Sequence, residues 1–163
     1  MHNVKFSIIV PFHNPKIFFQ TFIEAVSELV KSHRDVELIM VSNKTDDGSC
    51  KKIKNYFKEY ENVKVLTFDD FPSSYASRNY GVKMSAGDYI IFTDIDCIPD
   101  TKWLDTSIEK FRNGINFFSG SIELFYKDRT PNIYEIFDRE FFLQQERYAR
   151  LSTGATANLG VKK

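Results

Sequence analysis

An α/β domain built on a mostly parallel sheet is the fold class that this 163-residue sequence predicts, on three observations. Short apolar runs alternate with segments of helical period from the first residues onward, the pattern of strands joined by crossover helices. The run at 89–93, YIIFT, is almost wholly apolar, as a central strand covered on both faces must be. Length and composition agree: 163 residues with 42% hydrophobic content and 16 Phe make one folded domain, able to bury roughly 70% of the surface its unfolded chain exposes.

The elements follow in order. Residues 6–10 form a first strand, after which Asn14 and Pro15 supply a cap and a first-turn proline. The helix they open runs to about Ser32, with Phe18, Phe22, Val26 and Leu29 on its apolar face. Residues 36–41 form a second strand, followed by the polar loop SNKTDDGS and a helix with Ile53, Tyr56, Phe57 and Tyr60 on one side. Residues 63–68 form a third strand. Pro72 and two serines signal the start of a helix over 75–86, with Gly87 as its stop, before the strand at 89–93. Asp100 caps a helix carrying Leu104, Ile108 and Phe111 that closes at Gly114, and residues 116–125 return as a strand, so the sheet has at least five. Residues 133–151 read as one long helix, rich in Phe and charge, whose apolar side chains are expected in the core. The chain stops at 161–163, just after a further strand, and reads as a single domain over 1–163 that lacks its C-terminal part.

Lys plus Arg equals Asp plus Glu at 22 each, so no bulk field draws nucleic acid, and any anion site must be local. Cys50 and Cys97 are too few and too far apart for a disulfide framework or a zinc cluster, and free thiols suit the cytoplasm. The N-terminus MHNVKFSIIVPF is neither a signal peptide nor a spanning helix, which leaves room for peripheral association at the inner face of the membrane.

Asp94 and Asp96 fall where the strand at 89–93 ends, and ligands of open α/β sheets bind outside the carboxyl ends of the strands. With 12 Asp in the chain about one Asp-x-Asp triplet is expected by chance, so the triplet matters only for its position. Two carboxylates one residue apart can share a hard divalent cation, Mg²⁺ or Mn²⁺, and leave its other positions to water and phosphate oxygens. The plainer reading is a solvated acidic turn that caps the next helix. Arg78 lies at the start of a helix whose N-terminus points at the same edge, where a guanidinium and free amides hold a diphosphate. Gly81, one turn on, lets that helix approach the sheet. Pro11, Phe12, His13 and Asn14 occupy the loop after the first strand, where an aromatic ring and an amide meet a nucleobase. A lone histidine is weak evidence for a catalytic base.

These residues together resemble a family 2 glycosyltransferase of the GT-A fold, a nucleotide-diphosphosugar transferase. FSIIVPFHN is similar to that family's first strand and loop, SYASRNYGVKMSAGDYIIFTDIDCIPDTKWL to its central motif, and TGATANLGVKK to its later strand with a basic pair. The resemblance implies a Rossmann-like three-layer α/β/α architecture. It implies a donor pocket of Pro11, Phe12, Asn14, Ser42, Asn43, Arg78, Asp94, Ile95 and Asp96, with Asp96 as the direct metal ligand beside Asp94. The implied reaction is an inverting displacement at the anomeric carbon, with a UDP-sugar as the expected donor, a sugar or lipid-linked molecule as acceptor, and polysaccharide or glycolipid assembly as the setting.

The sequence departs from the family's pattern in two places. The family commonly carries an acidic residue after the second strand that recognises the base, and here Ser42, Asn43 and Lys44 stand there, with Asp46 and Asp47 later. The general base is expected beyond Lys163, so no catalytic base is assigned. A nucleotidyltransferase is disfavoured because PFHNPK lacks a glycine-rich loop. A nucleotide-sugar-binding module that needs a further segment or a partner chain is the remaining alternative.

Overall fold

The computed structural model of the chain describes residues 5–15, 18–126, 130–141, 144–151 and 153–163. Among them the elements run β1 (Phe6–Phe12), α1 (Phe18–Ser32), β2 (Val36–Ser42), α2 (Ser49–Tyr56), β3 (Val63–Thr67), α3 (Ser74–Met84) and β4 (Tyr89–Thr93). Then come α4 (Trp103–Arg112), β5 (Phe117–Ser119), α5 (Ile133–Phe141), α6 (Gln145–Arg150) and β6 (Asn158–Lys162). The strands make one sheet in the order β3-β2-β1-β4-β6-β5. β1 pairs in parallel with β2 and β4, and β2 with β3. β6 enters antiparallel between β4 and β5.

Alternation along the strands divides the core into two layers. Ile8, Val10, Leu38, Met40 and Ile91 face α1, α2 and α4, whereas Ile9, Ile39, Val41 and Ile90 face the opposite side, with Tyr80 and Val82 of α3 packed on them. The three-layer α/β architecture expected from the sequence is therefore present. α1 contributes Phe22, Ile23, Val26 and Val30, each no more than 1% exposed. At roughly 1.5–3 kcal/mol per buried side chain this is enough to hold a helix whose length alone leaves it marginal in water.

α3 seats against the sheet through glycine. A Cβ on Gly81 would lie 2.7 Å from Cγ2 of Ile9 and 3.3 Å from Cγ2 of Val41, so no larger residue lets the helix sit this close to β1 and β2. Gly87 serves the same end and is not the expected helix stop. α3 ends at Met84, where Ser85 turns extended, and a Cβ on Gly87 would meet the Ser7 Oγ at 2.6 Å.

Glu37 braces the far end of the sheet. Its carboxylate is 3% exposed and accepts bonds from Ser7 Oγ at 2.7 Å, the Ala86 amide at 2.6 Å and Lys64 Nζ at 2.8 Å. Burial alone would push this carboxyl up. The Lys64 ammonium, the Ala86 amide and the Ser7 hydroxyl outweigh it and hold the group below its usual range.

Several expectations are corrected. The start of α1, where Asn14 and Pro15 are expected to cap it, lies outside the described residues; Asn14 itself takes a left-handed φ of 42°, and its side-chain amide grips the loop after β2. Asp100 sits ahead of α4 in a turn, its Oδ1 accepting the Lys102 amide at 2.8 Å. The strand expected over 116–125 is regular only at Phe117–Ser119. There the Asn158 amide donates to the Ser121 carbonyl at 2.9 Å, in place of a continued ladder. The long helix over 133–151 is two helices, because Gln144 departs from helical geometry (φ −76°, ψ 79°) and Gln145 turns inward to bond the backbone of Ala155 and Asn158. Tyr134, Phe137 and Phe141 are exposed on α5 and do not enter the core.

Candidate functional site

The chain winds outward from β1 to β2 and β3, then crosses to β4 on the other side, so the sheet has its switch point between β1 and β4. A cavity of about 310 Å³ lies there, at the carboxyl ends of the strands, where an α/β sheet opens a crevice for ligands. The end of β1 supplies Pro11 and Phe12, with His13 just beyond it, the residue after β2 supplies Asn43, α3 supplies Ser74, Ser77 and Arg78, and the turn after β4 supplies Asp94, Ile95 and Asp96.

Each wall is held in place by bonds that the local sequence makes possible. Ser73 caps α3, its Oγ accepting the Ala76 amide at 3.2 Å, and the Ser77 hydroxyl donates back to the Ser73 carbonyl at 3.0 Å. Asn43, 4% exposed, ties that cap to β2. Its amide donates to the carbonyls of Phe68 at 2.6 Å and Phe71 at 3.0 Å, and its carbonyl oxygen accepts the Ser73 amide at 3.0 Å. A single buried side chain therefore fixes the approach of the whole β3–α3 connection.

One turn into α3, Arg78 reaches across the crevice, and its Nη2 donates to Oδ1 of Asp94. Its Nε is buried with no hydrogen-bond partner among the described residues. Buried donors are rarely left so, and this one is available to a ligand oxygen. Asp96 is exposed and holds no hydrogen bond or ion pair among the described residues. No group of three or more His, Cys, Asp or Glu that could hold a metal ion occurs among the described residues. Two carboxylates, one of them free, fit a hard cation that takes its remaining oxygens from water and a bound diphosphate, and not a cage closed by protein. Burial pushes the adjacent Cys97 thiol up, and the charges of Asp96 and Asp94 add to that, which disfavours the thiolate.

The loop after β1 divides its work differently from the sequence expectation. Phe12 borders the cavity yet is only 3% exposed, its ring packed in the core. His13 presents the exposed ring. Its Nδ1 lies 2.8 Å from the Asn43 carbonyl, which only accepts, so Nδ1 carries the proton and Nε2 is left open. Asn14 and Ser42 stand behind the lining. The Asn14 amide donates to Asp46 Oδ1 at 2.7 Å and accepts the amides of Asp46 and Asp47, while the buried Ser42 accepts the Phe68 amide through its carbonyl at 2.8 Å. Ser74 and Ser77 join the site without having been singled out. Ser74 is four residues ahead of Arg78 on the same helix, the spacing that places two side chains on one face.

A mostly parallel sheet with its crevice between β1 and β4 is the architecture of the GT-A glycosyltransferase fold, and solved structures of that fold superpose on this chain. The mannosyltransferase PcManGT from Pyrobaculum calidifontis, in complex with GDP-Man and Mn²⁺, superposes with a TM-score of 0.73 over 97% of this chain and 44% of its own, at 12% identity. S. aureus TarS 1-349, in complex with UDP-GlcNAc, does so with a TM-score of 0.64 over 79% of this chain and 37% of its own, at 18% identity. The sequence profile of Glycosyl transferase family 2 matches residues 7–161, and the chain belongs to that family. Among curated relatives, Glycosyltransferase AglE of Haloferax volcanii is 26% identical over 160 residues, 96% of this chain and 52% of the relative. The Minor teichoic acid biosynthesis protein GgaB of Bacillus subtilis is 30% identical over 116 residues, 71% of this chain and 12% of the relative. The chain thus spans about half the length of the first relative and a small part of the second.

Proposed function

We propose that this chain is the donor-binding part of an inverting glycosyltransferase that moves a sugar from a nucleotide diphosphate, UDP in the first instance, to an acceptor hydroxyl in polysaccharide or glycolipid assembly. The observation that carries this reading is the buried, unpartnered Nε of Arg78 facing the same crevice as the free carboxylate of Asp96. In the reading, the nucleoside lies along Pro11, Phe12, His13 and Asn43. Asn14 and Ser42 act from behind by fixing the loops, and Ile95 holds the turn between the two carboxylates.

The diphosphate lies between Arg78 and Asp96. Mg²⁺ or Mn²⁺ bound by Asp96 with Asp94 would supply positive charge against the phosphate oxygens as the sugar departs. The neighbour from Pyrobaculum calidifontis, solved with GDP-Man and Mn²⁺, supports the class of ligand and cation. In the transfer itself the acceptor oxygen bonds to the anomeric carbon, the bond from that carbon to the diphosphate breaks, and the acceptor proton passes to a general base to which no residue is assigned. The further length of AglE supports additional catalytic elements outside these 163 residues. A cytoplasmic setting is supported by the two free cysteines, and no described helix is long and apolar enough to cross a membrane.

A thermal-shift titration of the 163-residue chain with UDP, GDP, dTDP and CDP, each with and without Mn²⁺ or Mg²⁺, tests the reading. One nucleotide is expected to raise the melting temperature only when the metal is present, with little or no sugar transfer. No shift with any pair overturns the donor site, and robust transfer to an acceptor by this chain alone overturns its assignment as a donor-binding part.

A further inference from the structure

A second cavity, of about 980 Å³, opens at the same edge of the sheet between the exit of β5 and the helices α5 and α6. The register puts it there. Thr93 of β4 pairs with Asn158 of β6, and the Gly120 amide donates to the Asn158 carbonyl at 3.0 Å. The chain therefore leaves β5 at the level where β4 gives way to Asp94, with β6 alone between them.

The wall formed by α6 is anchored and charged. Gln145, 6% exposed, donates to the carbonyls of Ala155 and Asn158 at 3.1 Å each and accepts the Ala155 amide at 2.8 Å, which fixes the helix to the loop before β6. Arg147 and Arg150 stand three residues apart on that helix and both line the cavity. Neither has an ion-pair partner among the described residues, whereas the nearby Arg139 is paired with Glu140 at 2.9 Å. The other wall carries two hydroxyls, Ser119 Oγ and Tyr126 OH, buried without a hydrogen-bond partner among the described residues. Glu123 and Glu146 add acceptors to the lining.

Guanidinium forks match the tetrahedral oxygens of a phosphate ester, and carboxylates accept hydrogen bonds from polyol hydroxyls. One fork satisfies both oxygens of a carboxylate, so two unpaired arginines together with two unpartnered hydroxyls call for the greater number of acceptors on phosphate. We propose that this cavity binds the acceptor of the reaction, and that the acceptor is a water-soluble chain of hydroxyl-bearing phosphate esters gripped by Arg147 and Arg150. The inference rests on the donor-binding reading and adds to it the chemical class of the second substrate.

The test is a calorimetric titration of the 163-residue chain with a short glycerol-phosphate oligomer. The comparators are an uncharged oligosaccharide and an oligogalacturonate of similar length, and vesicles of phosphatidylglycerol in phosphatidylcholine; UDP with Mn²⁺ is a separate arm. Saturable binding of the glycerol-phosphate oligomer is expected, at least tenfold tighter than either comparator chain. The double variant Arg147→Gln, Arg150→Gln, changed at two exposed positions, is expected to lose at least tenfold in that affinity while its UDP binding is unchanged. The double variant Lys54→Gln, Lys58→Gln, an equal loss of charge at two exposed positions elsewhere on the surface, is expected to leave both alone. Equal affinity for the galacturonate, binding confined to vesicles, or an unaffected double variant overturns the proposal. UDP binding without oligomer binding overturns the acceptor site and leaves the donor reading standing. Oligomer binding without nucleotide binding does the reverse.

Discussion

Arg78 and Asp94, on α3 and in the turn after β4, form an ion pair across the crevice with side chains 11% and 29% exposed. The contact spends one Asp94 oxygen on protein and leaves Asp96 free. The two carboxylates of the Asp-x-Asp triplet therefore differ in role: Asp94 is set in place by Arg78, and Asp96 is open to a cation.

Substitution of Arg78 by Gln is expected to act on stability and binding together. It leaves Asp94 half-buried without its partner. The cost is expected at about 1–3 kcal/mol, between the value of an exposed pair and that of a fully buried one. It also removes the one guanidinium that lines the crevice among the described residues, so nucleotide affinity should fall at least tenfold. Urea denaturation and a nucleotide titration on the same variant check the two effects. Full affinity in Arg78→Gln would remove Arg78 from the donor site.

Asp96→Ala separates the two effects. Because Asp96 is exposed and holds no bond among the described residues, the variant should unfold within about 0.5 kcal/mol of the parent. Metal-dependent nucleotide binding should nonetheless be lost. An unchanged response to Mn²⁺ in a calorimetric titration with UDP would show that the cation, if bound, is held elsewhere.

Strands were legible wherever local pattern decides them: the apolar runs predicted β1, β2, β3 and β4 to within two residues, and position at the end of β4 singled out Asp94 and Asp96. The cap at Ser73 was legible for the same reason, since capping is a local competition for the first amides of a helix. Long-range bonds were not. Helical period persists through 133–151, and the break arises because Gln145 bonds backbone groups 10 and 13 residues further on. The role of Asn43 depends on carbonyls 25 and 28 residues away, which no spacing rule encodes. For Phe12 and Asn14 the position at the end of the first strand was legible, and only packing shows that one ring is in the core while the other side chain grips Asp46.

Glu37 predicts how the fold responds to acid. Its pKa in the folded state lies below the usual value, so its contribution is present above the unfolded pKa of about 4.3 and is lost as pH falls through the folded pKa. Glu37→Gln removes the charge that meets Lys64 and is expected to cost about 2–4 kcal/mol at pH 7. The parent should lose stability steeply below about pH 4, and the variant should lose less over the same interval. Denaturant titrations at pH 7, 5, 4 and 3 give both slopes. Parallel curves would mean that Glu37 is not held ionised by its partners.

Gly81→Ala tests whether the close approach of α3 to the sheet sets the geometry of the crevice. In an exposed helix the change would stabilise by about 1 kcal/mol, since alanine is the better helix former. Here the new Cβ would stand 2.7 Å from the Ile9 side chain and must push either Ile9 or the helix away. Overpacking of this kind costs about 1–3 kcal/mol, so the net sign should reverse and the variant should be the less stable. If the strain is relieved by moving α3, Arg78 moves with it, and nucleotide affinity should drop although the substituted residue lies outside the cavity lining. A variant that is destabilised yet binds nucleotide normally would show that Ile9 yields and α3 does not. A stabilised variant would contradict the packing of α3 on β1 and β2 from which the site is built.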